Sequence, residues 1–256
     1  MKVIVTKNYE QLSQKANEII RGVLAKKPNA VLGLATGSTP AGLYALMVQD
    51  CKSGLTSYKN AVTFNLDEYI GLDAAHEQSY SYYMRKHLFS HIDISAKNTH
   101  IPAGTAPDVQ AECARYNALL QKFVPDIQIL GLGGNGHIGF NEPGTPFDSV
   151  THAVNLNAET RQANARFFNS INEVPRRAIT MGISNILAAK SILVLASGAA
   201  KATAVSDMLA GEIHPRCPAT ALQKHGSVTV IADEAAASVM RENIGYRVEK
   251  LVDYYF

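Results

Sequence analysis

Apolar positions along this chain follow two alternating rhythms. Short runs rich in β-branched residues read as strands: KVIVT (2–6), AVLGLAT (30–36), VTFNLDEY (62–69), DIQILGLG (126–133), AVNLN (153–157), AITMGI (178–183), SILVLAS (191–197) and SVTVIAD (227–233). Between them lie longer stretches with apolar residues at helical spacing. Residues 9–26 carry Leu12, Ala16, Ile19, Ile20, Val23 and Leu24 before Pro28 and Asn29 break the pattern. Residues 107–123 place Val109, Cys113, Tyr116, Leu119 and Leu120 on one stripe, and 41–54, 79–92, 157–170, 184–190, 199–211 and 234–242 complete the predicted helices. Several strands are apolar at nearly every position, the pattern of a strand covered on both faces. The rhythm predicts an α/β fold, an open, mostly parallel Rossmann-like sheet with helices on both faces. No linker, repeat or low-complexity tract divides residues 1–256, so one domain is expected.

Composition narrows the function. Of 256 residues, 46% are hydrophobic and 18% charged, which suits a protein with a sizeable core. The 24 basic and 22 acidic residues leave a net charge of +2 with no basic stripe, so no nucleic-acid partner is expected. Cys51, Cys113 and Cys217 lie far apart without C-x-x-C spacing, which predicts reduced thiols and neither a disulfide frame nor a zinc site. No run approaches about 18 apolar residues, so no membrane span is expected. The opening MKVIVTKNYE enters a strand pattern at once and has no secretory-signal pattern, so the expected location is the cytoplasm.

In open α/β sheets, ligands bind beyond the carboxyl ends of strands, so the strand-ending loops are the places to look for chemistry. LATGSTPAGLY (34–44) ends a strand and opens a helix with Thr36, Gly37, Ser38 and Thr39, then Pro40 in the first turn. Free N–H groups and two hydroxyls there suit an anion, and they suit a plain helix cap equally well. The stretch is neither a Walker loop nor G-x-G-x-x-G, so no nucleotide is indicated. FNLDEYIGL (64–72) puts Asp67 and Glu68 where an apolar strand stops; such a pair can supply a base to a cleft, although an acidic turn is its commoner use. GLGGNGHIGFNEPG (131–144) holds six glycines, one histidine and one glutamate. Its glycines let the backbone bend and approach a ligand, His137 can move a proton near neutral pH, and Glu142 can orient it and stabilise its charged form. No second His or Cys stands at ligand spacing, so a metal is not indicated. Arg166 in ANARFF (163–168) and Lys201 after SILVLASG are either solvated charges or anion ligands. Lys201 near a helix start opposes the dipole, which favours an anion between them.

The combination of ATGSTP, FNLDEY, GNGHIGFNEP and NARFF closely resembles the glucosamine-6-phosphate deaminases, over about residues 1–240. The resemblance implies conversion of glucosamine 6-phosphate and water to fructose 6-phosphate and ammonia, without a cofactor or metal. Under it, Asp67 moves the proton from C2 to C1 of the opened sugar, and His137 opens the pyranose ring with Glu142 as its carboxylate partner. The phosphate falls to Thr36, Gly37, Ser38, Thr39, Arg166 and Lys201. The related 6-phosphogluconolactonases share the fold and a similar histidine loop but typically lack the F-N-E-P continuation. A lactonase and a non-catalytic sugar-phosphate sensor are the alternative readings.

Two departures from the family pattern carry expectations. Asn135 stands where hexameric, allosteric members have Asp; it can hydrogen-bond but brings no charge, which leaves Glu142 as the main electrostatic support of His137. The segment GTPFDSVTHAV (144–154) lacks the basic residues that those members use to bind N-acetylglucosamine 6-phosphate, so no activation by that compound is expected. Monomer and homo-oligomer both remain open, and residues 144–175 are expected to form a lid.

Overall fold

The computed structural model describes residues 1–165, 168–240 and 247–250. Eight strands form one sheet in the order β11-β1-β10-β9-β6-β2-β3-β5, and every pairing within it is parallel. In chain order these are β1 (Lys2–Thr6), β2 (Val31–Leu34), β3 (Val62–Asn65), β5 (Thr99–His100), β6 (Ile127–Gly131), β9 (Ile192–Ala196), β10 (Val228–Asp233) and β11 (Arg247–Lys250). The central strands β2 and β9 are buried at every position, so both sheet faces are covered, as the unbroken apolar runs require. A second, antiparallel sheet contains β4 (Asp67–Tyr69), β7 (His152–Asn155) and β8 (Arg177–Thr180) in the order β4-β8-β7.

Helix α1 (Tyr9–Lys26) shows how local sequence sets an element. Asn8 caps it by accepting from the Gln11 N–H at 3.0 Å. Leu12, Ala16, Ile20 and Leu24 recur every four residues and are buried against the core, where each large aliphatic side chain contributes roughly 1.5–3 kcal/mol. Helix α4 (Val109–Lys122) begins in the same way, with Asp108 accepting from the N–H groups of Gln110 and Ala111. The other helices are α2 (Ala41–Lys52), α3 (Tyr80–His87), α5 (Ala158–Asn164), α6 (Ile183–Leu187) and α7 (Ala202–Ala210). Among the described residues, no helix is long and apolar enough to cross a membrane.

Two predicted elements differ in kind from the expectation, and among the described residues the helix expected over 157–170 is one only over Ala158–Asn164. Residues 62–69, read as a single strand, are two strands in different sheets. Leu66 is the corner: its N–H donates to the Leu34 carbonyl at 3.1 Å in the parallel sheet, while its own carbonyl accepts from the Met181 N–H at 2.7 Å in the other. Apolar spacing cannot show this switch, because both arms are extended. Residues 234–239 form turns where a helix was predicted, and 241–242 lie outside the described residues. There the Asp233 side chain takes the Ala236 N–H at 2.8 Å and also binds the neighbouring loop at Gly198, a tertiary tie that helix propensity does not register. Strands β5 and β11 escape the sequence pattern because one is two residues long and the other, RVEK, is mostly polar.

Candidate active site

A cleft of about 280 Å³ lies beyond the carboxyl ends of β2, β3 and β6. Its walls bring together Thr36, Gly37, Ser38, Thr39, Asp67, His137 and Lys201 from loops far apart in the chain. Glu142 and Asn135 stand behind His137, off the cleft wall. Arg166 lies outside the described residues.

The loop after β2 turns at Gly37, whose φ of +98° is the left-handed region that glycine enters freely. Three of its carbonyls are taken by tyrosine hydroxyls that sequence patterns gave no reason to single out. Tyr83 donates to the Gly37 carbonyl at 2.6 Å, and Tyr9 shares its one hydroxyl proton between those of Ser38 and Thr39, at 2.9 and 3.0 Å. A trans peptide points its N–H opposite to its C=O. The tyrosines therefore turn the N–H groups of Ser38 and Thr39 away from themselves, leaving two adjacent donors just before α2 suited to an anion, while the Gly42 N–H inside the helix donates to the Tyr9 hydroxyl at 2.8 Å.

Lys201 reaches the cleft from the short 3-10 turn Ala199–Lys201, launched by Gly198 at φ +89°. Asp233 sets that launch by accepting from Ser197 Oγ at 2.5 Å and from the Gly198 N–H at 3.0 Å. The buried carboxylate at the end of β10 thus places a cation one strand away.

The two adjacent acids have separate uses. The Glu68 carboxylate accepts the N–H groups of Tyr69, Tyr80 and Ser81 at 2.9, 2.9 and 2.8 Å, which ties the start of α3 to β4. Asp67 lines the cleft yet is only 6% exposed. Burial, with the neighbouring charge of Glu68 adding to it, pushes the Asp67 carboxyl up to about 8. The wall beside it includes Tyr80, whose ring packs with Tyr69 and Phe140 in a small apolar cluster between the second sheet and the histidine loop.

That loop is fixed at several points. The Phe140 N–H donates to Thr180 Oγ at 3.1 Å, and Asn141 Nδ2 donates to the carbonyls of Ile138 and Met181, both at 2.8 Å. Its centre is the chain His137–Asn135–Glu142. The carboxylate can only accept, so Asn135 Nδ2 donates to Glu142 Oε2 at 3.0 Å and turns its own Oδ1 toward the imidazole. Oδ1 can only accept in turn, so His137 Nδ1 carries a proton and donates to it at 2.7 Å. Nε2 is left as the ring atom that exchanges a proton with a ligand. Glu142 Oε2 lies 3.7 Å from Nδ1, so the carboxylate acts partly through the amide and partly across space. Burial holds the His137 pKa below its ordinary value; Glu142 opposes that shift and Lys201 adds to it. The loop thus holds the imidazole in the tautomer with the proton on Nδ1, on the wall of the cleft.

Comparison with known proteins identifies the family. Residues 6–231 match the family of glucosamine-6-phosphate isomerases/6-phosphogluconolactonase. The chain is 54% identical to the glucosamine-6-phosphate deaminase of Geobacillus sp. (strain WCH70), over 94% of this chain and 96% of that one. It is 55% identical to that of Bacillus velezensis, over 93% of this chain and 99% of that one. A solved structure described as a monomeric glucosamine-6-phosphate deaminase superposes with a TM-score of 0.92 at 50% identity, covering 93% of this chain and 100% of the other. The 6-phosphogluconolactonase from Trypanosoma brucei superposes at 0.77 with 21% identity, covering 94% and 98%, a likeness of fold. This chain belongs to the glucosamine-6-phosphate isomerase/6-phosphogluconolactonase family, and its sequence sides with the deaminases within it.

Proposed function

We propose that this chain converts glucosamine 6-phosphate and water to fructose 6-phosphate and ammonia. The observation that carries the reading is the meeting of an Asp67 carboxyl and a His137 imidazole on one cleft whose rim is a pair of donors just before α2 with a lysine beside it. An isomerising deamination requires these parts. The phosphoryl group is gripped by the N–H groups and hydroxyls of Ser38 and Thr39, by Lys201, and by Arg166, whose role rests on the family resemblance. That grip lies away from the reacting carbons and holds the flexible open chain in place. His137 Nε2 takes the proton of the C1 hydroxyl and passes it to O5, which opens the ring to the aldehyde. Asp67 removes the C2 proton beside the new carbonyl while a proton passes from the C2 ammonium group to O1, giving the neutral 1,2-enolamine, and Asp67 then returns its proton to C1. The resulting C2 iminium adds water, and the carbinolamine expels ammonia to leave the C2 ketone. No step calls on a cofactor or metal.

The lactonase and the binding-only sensor are disfavoured by the F-N-E-P continuation and by the buried carboxyl at residue 67, which lactone hydrolysis by an imidazole-activated water does not use. The deciding assay is ammonia release from glucosamine 6-phosphate, run beside lactone hydrolysis and a panel of phosphorylated amino sugars. Ammonia appearing stoichiometrically with fructose 6-phosphate is the expected result; lactone turnover without ammonia, or binding without turnover, overturns it. Because Asp67 acts as a base, kcat/KM rises with pH through a limb near pH 8, where the free enzyme's carboxyl ionises. The limb in kcat falls at lower pH, since the substrate's ammonium group stabilises the carboxylate. Added N-acetylglucosamine 6-phosphate leaves the saturation curve without activation.

A further inference from the structure

Thr160 has no part in the chemistry above, yet it touches the machinery. It lies in the first turn of α5, is 7% exposed, and borders the cleft. Its backbone N–H donates to Asn157 Oδ1 at 2.7 Å, which fixes its place at the helix start. Its hydroxyl donates to Glu142 Oε1. The other carboxylate oxygen, Oε2, accepts from Asn135 Nδ2 at 3.0 Å and faces His137 Nδ1 at 3.7 Å. Glu142 is therefore clamped at both ends: Oε1 by the helix, Oε2 by the amide that orients the histidine. A carboxylate with one end loose turns about its last bond, and with it goes the direction in which Asn135 is held.

Resting on the reading of His137 as the acid–base group, we propose that Thr160 is a positioning residue that locks the plane of the Glu142 carboxylate and, through Asn135, the ring of His137. The consequence is that the catalytic histidine is set partly by α5, the helix that leads toward the Arg166 segment. A purely structural bond would seat α5 and leave His137 indifferent to its loss.

Thr160→Val separates the two meanings, because valine keeps the shape and the methyl and removes only the donor. Glu142 Oε1 then faces an apolar group in a buried place, where an unpaired anionic oxygen is costly. The carboxylate turns toward water and away from Asn135. The charges facing His137 are Glu142 and Lys201, with Asp67 and Tyr80 also on the cleft wall. Burial and Lys201 lower the imidazole's pKa and Glu142 raises it, so a retreating carboxylate lowers it further. NMR titration of the His137 imidazole in the full-length chain is expected to move to lower pH by about half a unit or more in Thr160→Val. In the ammonia assay kcat falls about tenfold while KM changes less than about threefold, the mark of an interaction felt in the transition state. Thr160→Ser, which keeps the hydroxyl, restores both. An imidazole titration that is unmoved or raised in Thr160→Val, or a serine variant as impaired as the valine one, overturns the proposal. The titration requires no turnover, so a wild-type chain that released no ammonia would sink the deaminase reading and leave the role of Thr160 to be decided by the imidazole alone.

Discussion

Asp67→Asn is expected to abolish ammonia release and, at the same time, to make the protein more stable. The loss follows from the chemistry: asparagine fits the site but cannot take the C2 proton, and removing a placed base costs about 10²–10⁴-fold in rate. The gain follows from burial. A carboxyl that titrates near 8 in the folded chain and near 3.8 in an unfolded one binds its proton more tightly when folded. Between those two values the folded state holds more protons, so stability falls as pH rises, with the full cost reached above about pH 8 and none below about pH 4. At neutral pH the cost is of order 2–4 kcal/mol, and Asp67→Asn removes it. Thermal melts of the two proteins should coincide near pH 4 and separate progressively toward pH 8, the variant melting higher by several degrees. Equal melting temperatures at pH 8 would mean that the carboxyl is not held in the dry setting the cleft gives it. A variant that is both dead and stabilised marks a group kept for function against the interest of the fold.

How much of this could be read from the residues depends on the kind of contact involved. Helix α1 ends where its pattern ends, at Tyr9 and Lys26, because a local cap and a four-residue repeat define it. The parallel sheet was legible because its central strands are apolar throughout. The sheet switch at Leu66 was not, since it turns on one residue's N–H and C=O pairing with different sheets. The site shows the same division. Loop, glycine and titratable group are local signals, and they led to residues 36–39, Asp67, His137 and Glu142. Which of the two acids serves the cleft came from the family resemblance and not from the local pattern, because Glu68 is identified as a helix tie only by the N–H groups of residues 80 and 81 folded back onto it. The tyrosines that turn the loop after β2, the brace from Asp233 and the bond from Thr160 act through one or two long-range hydrogen bonds each, and their sequence surroundings carry no motif.

Asn135 shows how structure changes the meaning of a residue already noticed. In sequence it is a position lacking a charge. In the fold it is a relay: the carboxylate behind it dictates which way the amide faces, and the amide dictates which imidazole nitrogen keeps its proton. The substitution moves the negative charge one step back from the ring and leaves the tautomer defined. A site of this kind depends on the ring lying in one place, which makes the space around it as important as its partners.

Gly133 supplies that space, and Gly133→Ala is expected to be among the most damaging single methyl groups that can be added to this protein. A Cβ there would stand 2.3 Å from His137 Nδ1 and Cε1 and 2.5 Å from Cγ, inside the imidazole itself. The ring has to leave, and with it the 2.7 Å bond to Asn135 that fixes its tautomer. The Gly133 N–H also donates to the His137 carbonyl at 2.9 Å, closing the loop on itself, so the backbone has little room to yield instead. Activity should fall by about 100-fold or more, since misplacing an acid–base group costs nearly as much as removing it. KM should move far less, because the donor loop at residues 36–39 and Lys201 stand on other elements. The neighbouring glycine supplies the contrast. At Gly134 an added Cβ meets only the Ala200 carbonyl, at an ordinary 3.6 Å, so Gly134→Ala should leave the His137 imidazole resonances where they are in the wild-type chain. NMR of the histidine side chain in both variants, read beside the rate of ammonia release, checks the argument. If Gly133→Ala keeps the wild-type imidazole signals and rate, the ring does not sit over that glycine, and the His137–Asn135–Glu142 relay is not the arrangement on which turnover depends.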